Sequence, residues 1–242
     1  MNKIHSLWIG EYLSIMERLS IVSHLKVGHE YHLWTYAPLE VPEGVILEDG
    51  NEILPEPDIF CYSGPSEEGG GSVSAFSNWF RYKLLLERGG WWCDTDVVAL
   101  KPFNFNQEYV IASERPRPWR EDEPSATTCV IKSPAGSKLM QYCWESCQSI
   151  GKDVSWGVVG PKLLTESVSE NHLSDAVVPS WVFCPLDWWQ YEEVFLDTPV
   201  GKSYAVHLWN EMWRRDGIDK DATFDDICLY ERLKNAIFSN TR

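Results

Sequence analysis

The chain has 242 residues, 44% of them hydrophobic, and carries 21 basic against 36 acidic side chains for a formal net charge of −15. This length suits one large α/β domain or two small ones, and the apolar share supports a packed core rather than a disordered chain. The acidic balance excludes the basic footprint that nucleic acid requires, and with it a strong electrostatic hold on anionic membrane.

Ile4 to Ile9 is an apolar run ending at Gly10 and predicts a first strand. From Leu13 to Lys26 apolar residues recur at positions 15, 19, 22 and 25, the spacing of an amphipathic helix. Tyr31 to Tyr36 is rich in β-formers and closed by Pro38, so a second strand is expected. A strand–helix–strand opening points to a Rossmann-like, mainly parallel sheet flanked by helices.

Residues 38–72 read as loop, with several prolines and the run Gly69-Gly70-Gly71 beside Glu67 and Glu68, a mobile connection by composition. A helix over 74–88 follows, with Phe76, Phe80 and Leu84 on one face and Gly89 as its cap. Val97 to Leu100 continues the strand that begins after Gly90. Tyr109 to Ala112, Thr128 to Ile131, Val182–Phe183 and Tyr204–Leu208 predict further strands, and Lys138 to Ser146 predicts a helix. Pro116, Pro118 and Pro124 with Arg115, Arg117 and Arg120 mark an irregular loop. No internal repeat or linker is evident. One domain over 1–242 is the simplest organisation, with a nucleotide-sugar half over about 1–110 and an acceptor half over about 111–242.

Gly89-Gly90-Trp91-Trp92-Cys93-Asp94-Thr95-Asp96 is the most informative stretch. On a strand, residues i and i+2 share a face, so Asp94 and Asp96 are expected to converge on one object. Adjacent carboxylates repel unless a cation or proton lies between them, and hard oxygen ligands suit Mg²⁺ or Mn²⁺ carrying substrate phosphates. The expected object is a metal–diphosphate, and the expected chemistry is transfer from an activated donor.

The segment Ser77-Asn78-Trp79-Phe80-Arg81-Tyr82, the glycine–tryptophan–aspartate run and Lys101-Pro102 resemble the DxD region of a sugar-transferase group. That group comprises the Och1-like mannosyltransferases and the α-1,4-galactosyltransferases; the likeness to clostridial glucosylating toxins is looser. Trp156-Gly157-Val158-Val159-Gly160-Pro161 and Ala205-Val206-His207-Leu208-Trp209-Asn210 fit the same order. The resemblance implies a GT-A fold, a nucleotide-sugar donor (a UDP-sugar), and retention of anomeric configuration. It implies Asp96 on a divalent metal, Asp94 on the donor ribose or sugar, Arg81 holding donor sugar or carboxylates, and His207 as a metal or diphosphate contact. Asn78 stands where relatives often have aspartate, which puts an ionised group at that position in doubt. A glycan or lipid-linked acceptor and a role in polysaccharide biosynthesis come from the family alone.

An imidazole ligand favours Mn²⁺ over Mg²⁺. Trp8 and Ile9, at the end of the first strand, lie where open α/β sheets bind nucleotides, and Trp8 offers a face for uracil. Thr95 sits between the two carboxylates, and Lys162 is expected either to reach a donor phosphate or to stand as a plain surface lysine. Gly160-Pro161 supplies a rigid turn, and Asp187, followed by Trp188 and Trp189, is a carboxylate near sugar chemistry without an assigned place.

Two alternatives stand beside this reading. Asp94-Thr95-Asp96-Val97-Val98 also fits the signature of haloacid-dehalogenase-like phosphatases, with Asp94 as nucleophile, although that motif follows a long strand near the N-terminus and a later Asp225-Asp226 pair reads as part of a terminal helix. A non-catalytic sugar-binding module would draw on the thirteen tryptophans.

No apolar run approaches the roughly 20 residues of a membrane span, and residues 1–10 lack a secretory leader's apolar core. Seven cysteines in such a chain, with Cys143 and Cys147 sharing a helix face, predict reduced packed thiols and a cytoplasmic location, at most peripheral to the membrane's inner face.

Overall fold

The computed structural model describes residues 2–65, 68–118 and 125–239. Glu67, Arg120 and Pro124 of the expected loops lie outside them. Strand β1, Lys3–Leu7, leads into helix α1, Ile15–Lys26. Its start is fixed by a capping box: Ser14 Oγ accepts from the Met16 amide and Glu17 Oε2 accepts from the Ser14 amide at 2.8 Å. The chain returns through β2, Glu30–Thr35, which pairs with β1 in parallel register Ile4↔Tyr31.

The expected loop region contains a strand the apolar pattern does not announce. Ile46–Asp49 forms β3, parallel to β2. It is short and sits at the sheet edge, with Ile46 and Leu47 exposed, so it carries no alternation toward a core. Nor are the glycines a loose connection. Gly70 is buried against the backbone of residues 64–65, and a Cβ on Gly69 would lie 2.1 Å from the Trp156 ring.

Helix α2, Ser74–Arg88, places Phe76, Phe80 and Leu84 against the sheet. Gly89 ends it at φ +65°, its amide bonded to Leu85 O, and a side chain there would meet the Ala135 amide at 2.5 Å. Strand β4, Gly90–Cys93, then runs parallel to β1, with Ile4 opposite Trp91.

Strand β4 stops at Cys93. Asp94 and Asp96 stand in a turn closed by Val97 N–H to Asp94 O at 3.1 Å, and Val97–Ala99 is a separate strand, β5. The expectation of one continuous strand is corrected here, and the two carboxylates converge through the turn rather than through strand pleat. Strands β6, Val110–Glu114, and β7, Ser125–Ser133, pair antiparallel with a register shift between Ile111 and Ser113.

Among the described residues the main sheet has order β3-β2-β1-β4-β7-β6, all parallel except β7. This is the mixed, mainly parallel sheet the sequence predicts. The strand order reverses between β1 and β4, so the carboxyl ends of these two neighbours, at Leu7 and Cys93, open toward one crevice.

Helices α3, Lys138–Ile150, and α4, Leu163–Glu170, pack beside α2 and bury Cys143 and Cys147. The expected strand at Val182–Phe183 is instead a 3₁₀ turn over Ser180–Val182, closed by Cys184 N–H to Ser180 O at 2.7 Å. Its apolar side chains are there for packing: Phe183 meets Phe103 at 5.1 Å between ring centres. Among the described residues strand β8, Ala205–His207, pairs only with β5. Helices α5, Asn210–Arg215, and α6, Leu229–Phe238, complete the chain, and Asp225-Asp226 lie in the turn before α6 rather than within it.

Candidate active site

The β4–β5 turn, the face of α2 and the end of β8 meet at Asp94 and Asp96. Arg81 comes from α2, buried, with Nη2 on Asp94 Oδ1 at 2.5 Å and on Ser77 Oγ at 3.2 Å, and Nη1 on Asn78 Oδ1. The Trp92 ring lies 4.9 Å beneath the guanidinium, and its Nε1–H donates to the same Asp94 oxygen at 2.7 Å. Arg81 therefore ties to the carboxylate turn, while Lys83 takes the helix partner Glu87. Asn78 is buried one turn earlier and serves Arg81 as a neutral acceptor, with its amide against the position a Gly160 side chain would occupy. The Gly160-Pro161 turn is pinned to α2 by the Tyr82 hydroxyl, which donates to Val159 O at 3.1 Å.

Asp96 is held from the other side. His207 Nε2 lies 3.3 Å from Asp96 Oδ2, the Asn210 amide donates to that oxygen at 2.8 Å, and Leu208 N–H donates to Asp96 O at 2.9 Å. Among the described residues the side-chain bonds to Asp94 converge on Oδ1, and those of His207 and the Asn210 amide to Asp96 converge on Oδ2. Ligand atoms of Asp94, Asp96 and His207 all fall within 4.8 Å of one another. Two hard oxygens and one imidazole nitrogen so grouped suit Mn²⁺.

Electrostatics single out the same residues. Burial drives His5 and His24 down to about 3, as it does any uncompensated imidazolium. Burial also opposes charge on His207, but the Asp96 carboxylate and the Cys129 sulfur together outweigh it and hold this ring well above its ordinary value. The effect is reciprocal: Asp96 is buried, yet the His207 charge and the Asn210 amide keep its carboxyl below the usual carboxylate range. Protein charges thus occupy a place suited to a cation.

Other residues singled out in the sequence fall nearby or apart. Thr95 lies in the turn itself, half-buried. Trp8 follows β1 at the same sheet end, its indole N–H on Tyr12 O at 3.0 Å and Lys220 Nζ 5.5 Å from its ring centre. Ile9 packs on the core beneath α2. Lys162 joins none of the bonds of the carboxylate cluster; it lines a cavity of about 710 Å³ with Glu114, Arg115, Arg117 and Trp188. Asp187, unplaced by sequence, receives Arg115 Nε on both oxygens at 2.8 and 3.0 Å beside that cavity.

Sequence reasoning passed over Glu114 and the role of the Asn210 amide. Glu114 ends β6 in the cavity wall, and burial pushes its carboxyl up to about 7. Its signal, a lone glutamate at a strand end, is too common to separate from surface charge.

Comparison with known proteins agrees with this geometry. Residues 132–235 match the alpha 1,4-glycosyltransferase conserved region, a span that includes His207 but begins after the carboxylate turn. A human alpha-1,4-N-acetylglucosaminyltransferase is 25% identical over 165 residues, which cover 58% of this chain and 46% of the relative; the chain thus spans about half of that curated relative's length. The solved PaToxG glycosyltransferase superposes with a TM-score of 0.50 at 13% identity, covering 97% of this chain and 87% of its own, a likeness of fold. The phosphatase alternative has no support in these matches, and Asp94 Oδ1, committed to Arg81 and Trp92, is poorly arranged for a free nucleophile. The mixed sheet with a carboxylate turn at its switch point, the family match over residues 132–235 and these likenesses all support a DxD-type glycosyltransferase of GT-A fold.

Proposed function

We propose that this chain is a metal-dependent, retaining hexosyltransferase that uses a nucleotide-sugar, a UDP-sugar, as donor and a glycan or lipid-linked glycan as acceptor. The observation that carries the reading is the meeting of Asp94, Asp96 and His207 within 4.8 Å, with Arg81 braced against Asp94. Mn²⁺ (or Mg²⁺) held there would offset charge developing on the leaving diphosphate.

The protein's own groups do the positioning. Asp94 is oriented by Arg81 and Trp92, which both bond Oδ1, and its Oδ2 would serve a donor ribose or sugar. Asp96 is fixed by His207 and the Asn210 amide, and His207 reaches it from β8. Arg81 adds positive potential at the site. The α-1,4 linkage in the relative's name is what retention yields from an α-configured donor. In that geometry the acceptor hydroxyl attacks the face the diphosphate leaves, and a phosphate oxygen takes its proton.

We place the donor against the first half of the chain, with Trp8 and Ile9 near the base, and the acceptor against the second half. We also propose a cytoplasmic site of action, at most peripheral to the inner face of a membrane. Among the described residues no helix is long and apolar enough to cross one.

The test is a screen of nucleotide-sugars for Mn²⁺-dependent hydrolysis, followed by NMR of the first transfer product. A UDP-sugar turned over only with metal, and an anomeric configuration preserved, is the expected result. Failure of every nucleotide-sugar to bind in the presence of Mn²⁺ would remove the donor assignment. An inverted product would remove retention alone.

A further inference from the structure

His207 has a second set of neighbours behind the carboxylate site. Its Nδ1 lies 3.9 Å from Cys184 Sγ, and Cys184 Sγ lies 3.5 Å from Cys129 Sγ. All three side chains are buried, and the three ligand atoms fall within 4.8 Å of one another. They arrive from three elements: Cys129 from β7, Cys184 from the turn after Ser180–Val182, and His207 from β8. Backbone bonds lock the elements together, with Asp94 N–H on Cys129 O at 2.8 Å and His207 N–H on Phe183 O at 3.1 Å.

This spacing suits a metal better than a chance meeting of thiols. Bonds of about 2.3 Å to sulfur and about 2.0 Å to nitrogen in a tetrahedron set ligand atoms roughly 3.5–3.8 Å apart. Two of the three edges are near that already. Two thiolates and an imidazole are also the donor set that borderline-soft cations prefer, whereas the carboxylate pair in front of His207 prefers hard ones.

We propose that Cys129, Cys184 and His207 Nδ1 form a second metal site, for a borderline-soft divalent cation such as Zn²⁺ or Cd²⁺, and that filling it disables His207 at the carboxylate site. Binding forms two metal–sulfur bonds and one metal–nitrogen bond, and sends the two thiol protons and the Nδ1 proton to solvent. The ring then keeps its remaining proton on Nε2, which donates to Asp96 Oδ2. An Nε2–H has no lone pair for another cation, so the two sites compete through one imidazole. The competition rests on the proposed carboxylate metal site; the thiol site does not.

The probe is Cd²⁺ alone, titrated into the full chain and followed by thiolate-to-cadmium charge-transfer absorption, with free Mn²⁺ counted separately by electron paramagnetic resonance. The expected result is a band that saturates at one Cd²⁺ per chain, survives Cys61→Ser at the exposed cysteine, and vanishes in Cys129→Ser/Cys184→Ser. In Cd²⁺-loaded protein Mn²⁺ affinity falls roughly tenfold or more, a loss the double variant does not show. Should the double variant fail to fold, Cys184→Ser alone must weaken Cd²⁺ binding by roughly tenfold. Absence of the band, or its persistence in folded double variant, overturns the site. A saturating band with unchanged Mn²⁺ affinity overturns the competition. Protein that gives the band but never binds Mn²⁺ keeps the thiol site and counts against the carboxylate site instead.

Discussion

Val97 and His207 face each other across the antiparallel pair of β5 and β8, so the strand that leaves the carboxylate turn is the one that brings the imidazole back to it. The position of His207 is thereby set by backbone pairing with the residue next to Asp96. Leu208 N–H on Asp96 O extends the same pairing by one residue.

Asp96→Asn should abolish Mn²⁺-dependent nucleotide binding, measured by calorimetry, because the anionic oxygen is lost where the diphosphate needs charge compensation. Asp94→Asn should abolish turnover yet retain part of the nucleotide affinity. Wild-type activity in Asp96→Asn would dismiss the metal–donor reading. Asp96 also partners a buried imidazolium, so its loss should cost stability, by up to about 3 kcal/mol.

His207→Ala should weaken metal binding less than Asp96→Asn does, since water can take one ligand position. It should also alter the pH response of stability. The ring's folded value lies well above 6.5, so its contribution is full below 6.5 and lost as pH rises through that higher value. Asp96 lies below 3.8 in the folded state, so its contribution is present above 3.8 and lost as pH falls through the lower value. Melting curves across pH should show the difference between wild type and His207→Ala to be largest between those limits; a constant difference from acid to alkaline pH would refute the ion pair.

Arg81→Lys keeps the charge but loses the fork that spans Asn78, Ser77 and Asp94. Turnover should fall by roughly 10²-fold with circular dichroism unchanged, since a single ammonium cannot make the planar set of bonds. Full activity in the lysine variant would reduce Arg81 to a source of charge.

Glu114 titrates near 7 rather than 4.5, so the folded chain retains a proton that the unfolded chain releases. Its contribution is fully present below 4.5 and lost as pH rises through about 7. Glu114→Gln should therefore flatten the fall in melting temperature between these pH values. An unchanged slope would place the carboxyl in water.

Gly89→Ala should destabilise the chain by more than about 1 kcal/mol, because it adds a side chain at positive φ and against the Ala135 backbone at once. Urea titration gives the value. A neutral result would mean that the α2–β4 junction relaxes freely.

Much of this architecture is legible in the chain. Apolar spacing along α2 follows the face it buries, whereas of the spaced residues of α1 only Leu19 is fully buried, and Met16, Ser20, Ser23 and His24 fill its inner face. The aspartate pair is announced by the helix and glycines before it, but the turn that carries the pair is not. What local pattern leaves unread depends on tertiary partners. Val182–Phe183 is apolar because Phe183 packs among Trp91, Phe103 and Phe105, which a strand reading cannot distinguish from pairing. Strand β3 exists through its bonds to β2 and has no buried face to signal it. Cys129 and Cys184 are 55 residues apart, and Asp96 and Asn210 are 114 apart, separations at which composition carries no information about contact.

Trp209 stands between His207 and α5 in a left-handed conformation, φ 56° and ψ 48°, its ring centre 3.9 Å from that of His207 and its Nε1–H on Leu186 O at 3.0 Å. A residue with a Cβ pays about 1–2 kcal/mol for that backbone. The indole is therefore a clasp on an unfavourable backbone conformation, whose cost its ring contact and hydrogen bond offset. Since the Asn210 amide is the next link in the chain, the contacts that hold Trp209 also keep that donor aimed at Asp96.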